Sequence, residues 1–368
     1  MATTVDERLC EPLRQLPLER SPGPGGTEAR NFMKRMNEFT GSYVKNLGTK
    51  SLPEGRNKRV RIAIIDSGVS RRDWDVREYI RLGRIADQRN FCSPRAPASD
   101  GYQGAHSKDV EDFHGHGTAV AKIALEVAPK ADIYIAKVTN SENISAGELT
   151  NIFEAIIWAV EVWDVDIINL SLALDELSEE IDEALCAAFD QGNKIVFAAA
   201  HRNTGVNDEP TWPGTRAGVI PIYCTDGNGH AQGMNPKAEG VYFGTLGCDI
   251  PIRENFGSPA RLAYGYASGA SYATPIAAGI AANMLEIVRH TVAISRNGQA
   301  LRRRYYTTNY MERLFRELNR PKEGCCFVEP WTFWRKTIRG NFQFQDRMLN
   351  KNDQRNISKV LELLASSS

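Results

Sequence analysis

From residue 59 onward the chain repeats one pattern: a short apolar run, then a longer stretch with apolar residues three and four apart. VRIAIID (60–66) is the first run. ADIYIAKV (131–138), VDIINLSL (165–172), KIVFAAA (194–200) and GVIPIYC (218–224) share its character. Runs this short, continuous and rich in β-branched residues are expected of parallel strands buried on both faces. Between them, residues 147–163 carry Leu149, Ile152, Phe153, Ile156 and Ile157 on one helical stripe. Residues 178–191 do the same with Ile181, Leu185, Ala188 and Phe189. Ser178 followed by Glu179 and Glu180 suits a helix start, where carboxylates meet the positive end of the dipole. A further helix is predicted from about Ser271 to His290. The alternation predicts an α/β fold of three layers: a central, mainly parallel sheet with helices on both faces and right-handed crossovers. Functional groups are then expected at the carboxyl ends of strands.

The flanks differ from this core. Residues 1–55 read as an N-terminal extension and linker, because Ser21-Pro22-Gly23-Pro24-Gly25-Gly26 cannot be helical. Thr27 to Leu47 is compatible with one helix carrying Phe32, Met36 and Phe39 on one side. Residues 56–290 hold the α/β pattern. Residues 291–368 read as a partly helical C-terminal extension, packed on the core through Phe327, Trp331, Phe333 and Trp334.

Composition narrows the class. Forty-two per cent hydrophobic residues is enough for a sizeable core. Lys+Arg and Asp+Glu both number 45, so there is no basic surplus, and a nucleic-acid partner is not expected. No apolar run approaches the roughly 20 residues that span a bilayer, so no membrane is expected either. The first twenty residues carry early acids and no apolar h-region, which points to a cytoplasmic protein. The seven cysteines are odd in number and none has CxxC spacing, so free thiols are expected and cysteine-bound metal is not.

Three places carry candidate chemistry. Asp66 closes the first apolar run, just before Ser67-Gly68; read alone, it is also ordinary turn chemistry. His114 and His116 precede Gly-Thr-Ala-Val-Ala, a helix start of small residues. At i and i+2 they do not share a helix face, so a metal pair is not favoured, and one of the two is expected to be functional. Gly269-Ala270-Ser271 leads into an Ala- and Gly-rich helix with Pro275 in its first turns. A serine there is an ordinary N-cap, yet the same geometry aims backbone N–H groups and the dipole at whatever forms on its Oγ. A carboxylate, an imidazole and a hydroxyl are together the parts of a nucleophilic triad.

Here the chain resembles the subtilisin-like serine proteases (subtilases, peptidase S8 type). The resemblance rests on Asp66-Ser67-Gly68, His116-Gly117-Thr118 and Gly269-Ala270-Ser271-Tyr272-Ala273-Thr274-Pro275, in the chain order Asp, His, Ser. It covers about residues 59–290 and looks most like intracellular-type subtilases of filamentous fungi. It implies the subtilisin-like fold and a serine endopeptidase that cuts a polypeptide substrate, with Asp66, His116 and Ser271 as triad. INLSLA resembles the family's specificity-pocket strand and would place Ser171, Leu172 and Ala173 against substrate, Ala173 standing where the family has Gly. FAAAHRNTG resembles the segment bearing the oxyanion Asn. Arg202 falls on that Asn without a gap and Asn203 with one inserted residue; Asn203 is the expected donor. Lys122 stands where the family usually has Gly, and Ala270 where it has Thr. The resemblance implies no cofactor. Calcium sites recur in the family, and DSGVSRRDWD with Asp109, Glu111 and Asp112 offers suitable acids, but a solvated acidic loop is the favoured reading and no metal ligand is assigned. The competing function is a catalytically weak subtilase fold serving as a binding or signalling module, for which the substituted pocket Gly and the ambiguous oxyanion residue argue.

Overall fold

The computed structural model describes residues 18–45, 47, 59–92, 106–141, 144–174, 176–190, 194–200, 210–236, 242–255, 263–291, 303–322, 324–337 and 351–366. The predicted strands form as β1 (Arg61–Asp66), β3 (Asp132–Lys137), β4 (Ile167–Leu170), β5 (Ile195–Ala199) and β6 (Val219–Thr225). They are joined by β2 (Ile85–Asn90), β7 (Tyr242–Leu246), β10 (Asn319–Lys322) and β11 (Cys325–Val328). These nine make one sheet in the order β10-β11-β7-β6-β5-β4-β1-β3-β2, with every pairing parallel except β10 with β11. β8 (Ile250–Glu254) and β9 (Ala263–Ala267) form a separate antiparallel pair.

Alternate side chains of β1 explain the three layers. Ile62 and Ile64 join a core with α3 (His116–Val127) and α6 (Ala270–Thr291). Ala63 and Ile65 join a second core on the other face, with α4 (Leu149–Glu161) and α5 (Glu179–Asp190). A strand buried on both sides cannot alternate polar with apolar, which is why VRIAIID reads as a continuous run. α5 starts where its acids predicted, the Ser178 hydroxyl accepting from Ile181 N–H at 3.4 Å. The short α2 (Trp74–Arg81) is capped by Asp73, which accepts from Asp75 N–H and Val76 N–H.

The two flanks meet each other as well as the core. α1 (Gly26–Tyr43) starts at the last residue of the stretch expected to be non-helical and ends four residues before Leu47; it buries Phe32 and Phe39 against Trp331 and Trp334 of α8 (Pro330–Thr337), with ring centroids 5.1 and 4.9 Å apart. The C-terminal stretch does more than pack: β11 pairs in parallel with β7, extending the main sheet, and α7 (Thr308–Glu317) and α9 (Lys351–Ser366) follow on the same side of the core. None of the described helices is long and apolar enough to cross a membrane.

Candidate active site

β1 lies between β3 and β4: the chain runs from β1 to β2 and β3 on one side, then crosses to β4 and the strands beyond it on the other. The carboxyl end of such a strand is where open α/β sheets leave a crevice. Asp66 sits there, in register with Lys137, and is 6% exposed. Its Oδ1 accepts from the Ser67 N–H at 2.7 Å and from Nδ1 of His116 at 2.8 Å. A carboxylate can only accept, so Nδ1 of His116 is the donor in this bond, and in the neutral ring Nε2 is then the acceptor nitrogen. Gly68, at φ 99°, turns the chain away; a Cβ there would stand 2.2 Å from the Val110 carbonyl oxygen.

His116 is the first residue of α3, behind Gly115 at φ 92°. Asp112 organises this start. Its Oδ1 accepts from the N–H groups of Gly115 (2.7 Å) and His114 (3.1 Å), and its Oδ2 from the N–H (2.8 Å) and Oγ1 (2.7 Å) of Thr118. The Ser67 hydroxyl donates to Asp112 at 3.0 Å and accepts from the Gly117 N–H at 2.9 Å, tying the strand end to the helix start. Asp112 is therefore buried and committed to donors in its own fold. The expected solvated acidic loop holds for exposed Asp109 and fails for Asp112, because orphan N–H groups at a helix start attract a carboxylate inward. Glu111 is likewise engaged, by Ser70 Oγ at 2.7 Å and the Arg71 N–H at 3.0 Å. No group of three or more His, Cys, Asp or Glu placed to hold a metal occurs among the described residues. Lys137 adds a second tie: its ammonium donates to the carbonyls of Ser67 (3.1 Å) and Glu111 (2.7 Å), and burial pulls its pKa down.

His114 donates its backbone N–H to Asp112, and its ring centroid lies 6.4 Å from that of His116. Of the two histidines it is His116 that meets Asp66.

Lys122 lies further along α3, 7% exposed. It donates to Asp73 Oδ2 at 2.6 Å, to the Arg253 carbonyl, and pairs with Asp75 Oδ2 at 3.2 Å. Asp75 also takes the Arg253 guanidinium. Burial alone would raise the Asp75 pKa; the hydrogen bond from Arg253 and the charge of Lys122 outweigh it and hold the carboxyl below its usual range. A lysine where the family has Gly thus joins α3 to α2 and β8.

Ser271 is the second residue of α6 and half-buried. Gly269, at φ 149°, opens the helix: its carbonyl accepts from Tyr272 and Ala273 N–H, and its own N–H donates to the Gly247 carbonyl at 2.8 Å. Tyr272 lays its ring against His116, centroids 5.1 Å apart, which brings this helix start beside the imidazole. Pro275 lies deeper than the first turn, sixth in the helix. Its missing N–H is therefore one that the Ser271 carbonyl would otherwise accept.

Ser171, Leu172 and Ala173 follow β4 at the same edge of the sheet. Ser171 Oγ accepts from Asn169 Nδ2 at 2.9 Å, Leu172 and Ala173 are half-buried, and the next residue donates its N–H to the Trp212 carbonyl. Arg202 and Asn203 lie outside the described residues. A cavity of about 1200 Å³ opens elsewhere, lined by Met33, Tyr79, Lys122, Glu126, Arg253 and Tyr264 among others; Asp66, His116 and Ser271 do not line it.

Asp66 and His116 meet at the carboxyl end of β1, the α6 start lies against the same imidazole through Tyr272, and the largely parallel sheet with helices on both faces is a fold of the subtilisin type. The chain belongs to the Subtilase family, whose signature matches residues 57–309. It is 30% identical over 225 residues to the subtilisin-like protease het-Q2 of Podospora anserina, covering 57% of this chain and 59% of that protein. It is 30% identical over 235 residues to an intracellular serine protease of Paenibacillus polymyxa, covering 61% and 66%. The chain thus spans less than two thirds of either relative. Its fold is similar to that of the prenylagaramide maturation protease PagA, with TM-score 0.53, 18% identity, and 80% of this chain and 98% of that one covered.

Proposed function

We propose that the chain is a serine endopeptidase that hydrolyses polypeptides through Asp66, His116 and Ser271, with residues 56–290 carrying the reaction. The observation behind this reading is the 2.8 Å bond between Asp66 and Nδ1 of His116, with the α6 start seated against the same imidazole through Tyr272. Asp66 holds the tautomer, and Nε2 takes the Ser271 proton as Oγ attacks the scissile carbonyl. The charge that develops on the carbonyl oxygen meets the backbone N–H of Ser271, which precedes the first bonds of α6, made by Tyr272 and Ala273 to the Gly269 carbonyl. Asn203 supplies a second donor; its short amide suits that role better than the long fork of Arg202. His116 then protonates the leaving amine, and water repeats the attack on the acyl-enzyme. Ser171 to Ala173 border the bound peptide. A cytoplasmic site of action follows from the likeness to relatives named intracellular.

The test is reaction of the whole chain with a fluorophosphonate probe. Labelling at Ser271, abolished in Ser271→Ala and His116→Ala and little changed in His114→Ala, supports the reading. Labelling lost in His114→Ala and kept in His116→Ala would assign the base wrongly, and a folded chain that does not label would overturn the proposal.

A further inference from the structure

Beneath the α6 start lie two sulfur atoms that the reaction above does not use. Cys224, in β6, and Cys248, in the turn between β7 and β8, are both buried, with Sγ atoms 3.0 Å apart. A disulfide brings such atoms to about 2.05 Å, so closing this pair takes about 1 Å of movement. The Cys248 turn is also joined to the nucleophile segment by short contacts. Gly247 donates to the Thr225 carbonyl and accepts from the Gly269 N–H, both at 2.8 Å, and Asp249 N–H donates to Ser268 Oγ at 2.9 Å. Gly247 is held between the pair and the helix: a Cβ on it would stand 2.7 Å from Cys224 Sγ and 3.1 Å from Ala273 Cβ. The Asp249 carboxylate accepts from the N–H groups of Gly23 and Gly25 at the entry to α1. Movement of Cys248 toward Cys224 therefore reaches Gly269, two residues before Ser271.

We propose that Cys224 and Cys248 are a reversible thiol-oxidation site whose substrate is a small peroxide and whose closure displaces the α6 start. Cys248, on the turn and 6% exposed, is the more accessible of the two and is oxidised first; Cys224, fully buried with its Sγ 3.0 Å away, is placed to resolve it. The Cys248 sulfur attacks hydrogen peroxide, the O–O bond breaks, and sulfenic acid and water form. The Cys224 sulfur then attacks the sulfenic sulfur, an S–S bond forms, and the hydroxyl leaves as a second water with the Cys224 proton. Two thiols lose two electrons and one peroxide gains them. A dithiol reductant reverses the change. Cys325 and Cys326, as neighbours along β11, point to opposite faces and do not form such a pair.

The effect on activity rests on Ser271 being the nucleophile; the chemistry of the pair does not. The full chain is treated with hydrogen peroxide, its thiols are alkylated under denaturing conditions, and the peptides are mapped. A Cys224–Cys248 linked peptide should appear and the free thiols should fall from seven to five. Fluorophosphonate labelling should slow by at least tenfold, since misplacement by about 1 Å costs on the order of 10²-fold, and dithiothreitol should restore it. Cys248→Ala should label at the reduced wild-type rate and resist peroxide. Both thiols alkylated, or Cys248 oxidised without a link, overturns the proposal. A link with an unchanged labelling rate overturns its coupling to the nucleophile. If Cys248→Ala fails to fold, the linked peptide and its reversal in the wild type still decide. A reduced protein that never labels counts against Ser271 as nucleophile and leaves the linked peptide to report on the pair.

Discussion

Gly117→Ala tests the contact on which the candidate site is built. Gly117 lies in the first turn of α3, and an added Cβ would stand 2.4 Å from the Gly68 carbonyl oxygen, 2.9 Å from the Gly68 nitrogen and 3.1 Å from Asp66 Oδ1. Ordinary contacts need about 3.5 Å, so the Gly68 turn or the helix start must give way by about 1 Å. Two of the three atoms are backbone, which cannot swing aside, so the overpacking cost falls near the upper end of its usual range, about 3 kcal/mol. Alanine returns about 1 kcal/mol through helix propensity, leaving a net loss of about 2 kcal/mol. The displacement falls between Asp66 and His116, so the labelling rate of Ser271 should drop on the order of 10²-fold. Gly41→Ala in α1 is the control. No atom lies within 4 Å of its added Cβ, so it should gain about 0.5–1 kcal/mol and label normally. Urea unfolding and fluorophosphonate kinetics on both variants measure these quantities. If Gly117→Ala is as stable as the wild type and labels within threefold of its rate, the close approach of α3 to the Gly68 turn is refuted.

Asp66→Asn should keep the fold and lower kcat by on the order of 10⁴, because an amide facing Nδ1 favours the wrong imidazole tautomer; a loss below tenfold would remove Asp66 from the triad. Asp112→Ala strands the donors of Gly115 and Thr118 and should cost about 3 kcal/mol in urea unfolding, with kcat falling as His116 loses its mooring. Lys122→Ala should cost about 3–5 kcal/mol, since Asp73 and Asp75 are left buried with less countercharge, whereas Lys122→Met with Asp73→Asn should recover part of it. In the wild type the depressed Asp75 pKa contributes stability that is present above its unfolded value and lost as pH falls through the folded one, so acid titration of Lys122→Met should show a smaller loss. Asn203→Leu should lower kcat by about 10²–10³ with little change in KM, and Arg202→Ala by less than tenfold; the reverse pattern assigns the oxyanion donor to Arg202.

The buried strands were legible because burial on two faces leaves an apolar signature that a single sequence shows, as in RIAIID and IVFAA. β2, reading IADQRN at the sheet edge, carries no such signature, and β10, reading NRPK, less still. β11, reading CCFV, is apolar and buried, but its pairing with β7 is a long-range event that four residues do not reveal. The triad candidates stood out because their neighbours are small or glycine, forced by close approach at Gly68 and Gly117. Asp112 was missed as a positioning residue. Its signal was the spacing Asp112-x-x-x-His116 across Gly115, which lets one carboxylate collect the donors of a helix start. The role of Lys122 was not legible, since Asp73 and Asp75 lie almost fifty residues away along the chain.

Because β11 completes the main sheet beside β7, synthesis imposes an order on this protein. The strand that covers β7 is translated some eighty residues after it, behind the long α6 and α7. While the nascent chain grows, β7 waits with an open edge, a template for pairing with other chains. Cutting at residue 309, where the family signature ends, would make that transient edge permanent and would expose Phe32 and Phe39, which rest on Trp331 and Trp334. The segment after the family boundary thus covers both a sheet edge and an aromatic face of the part before it.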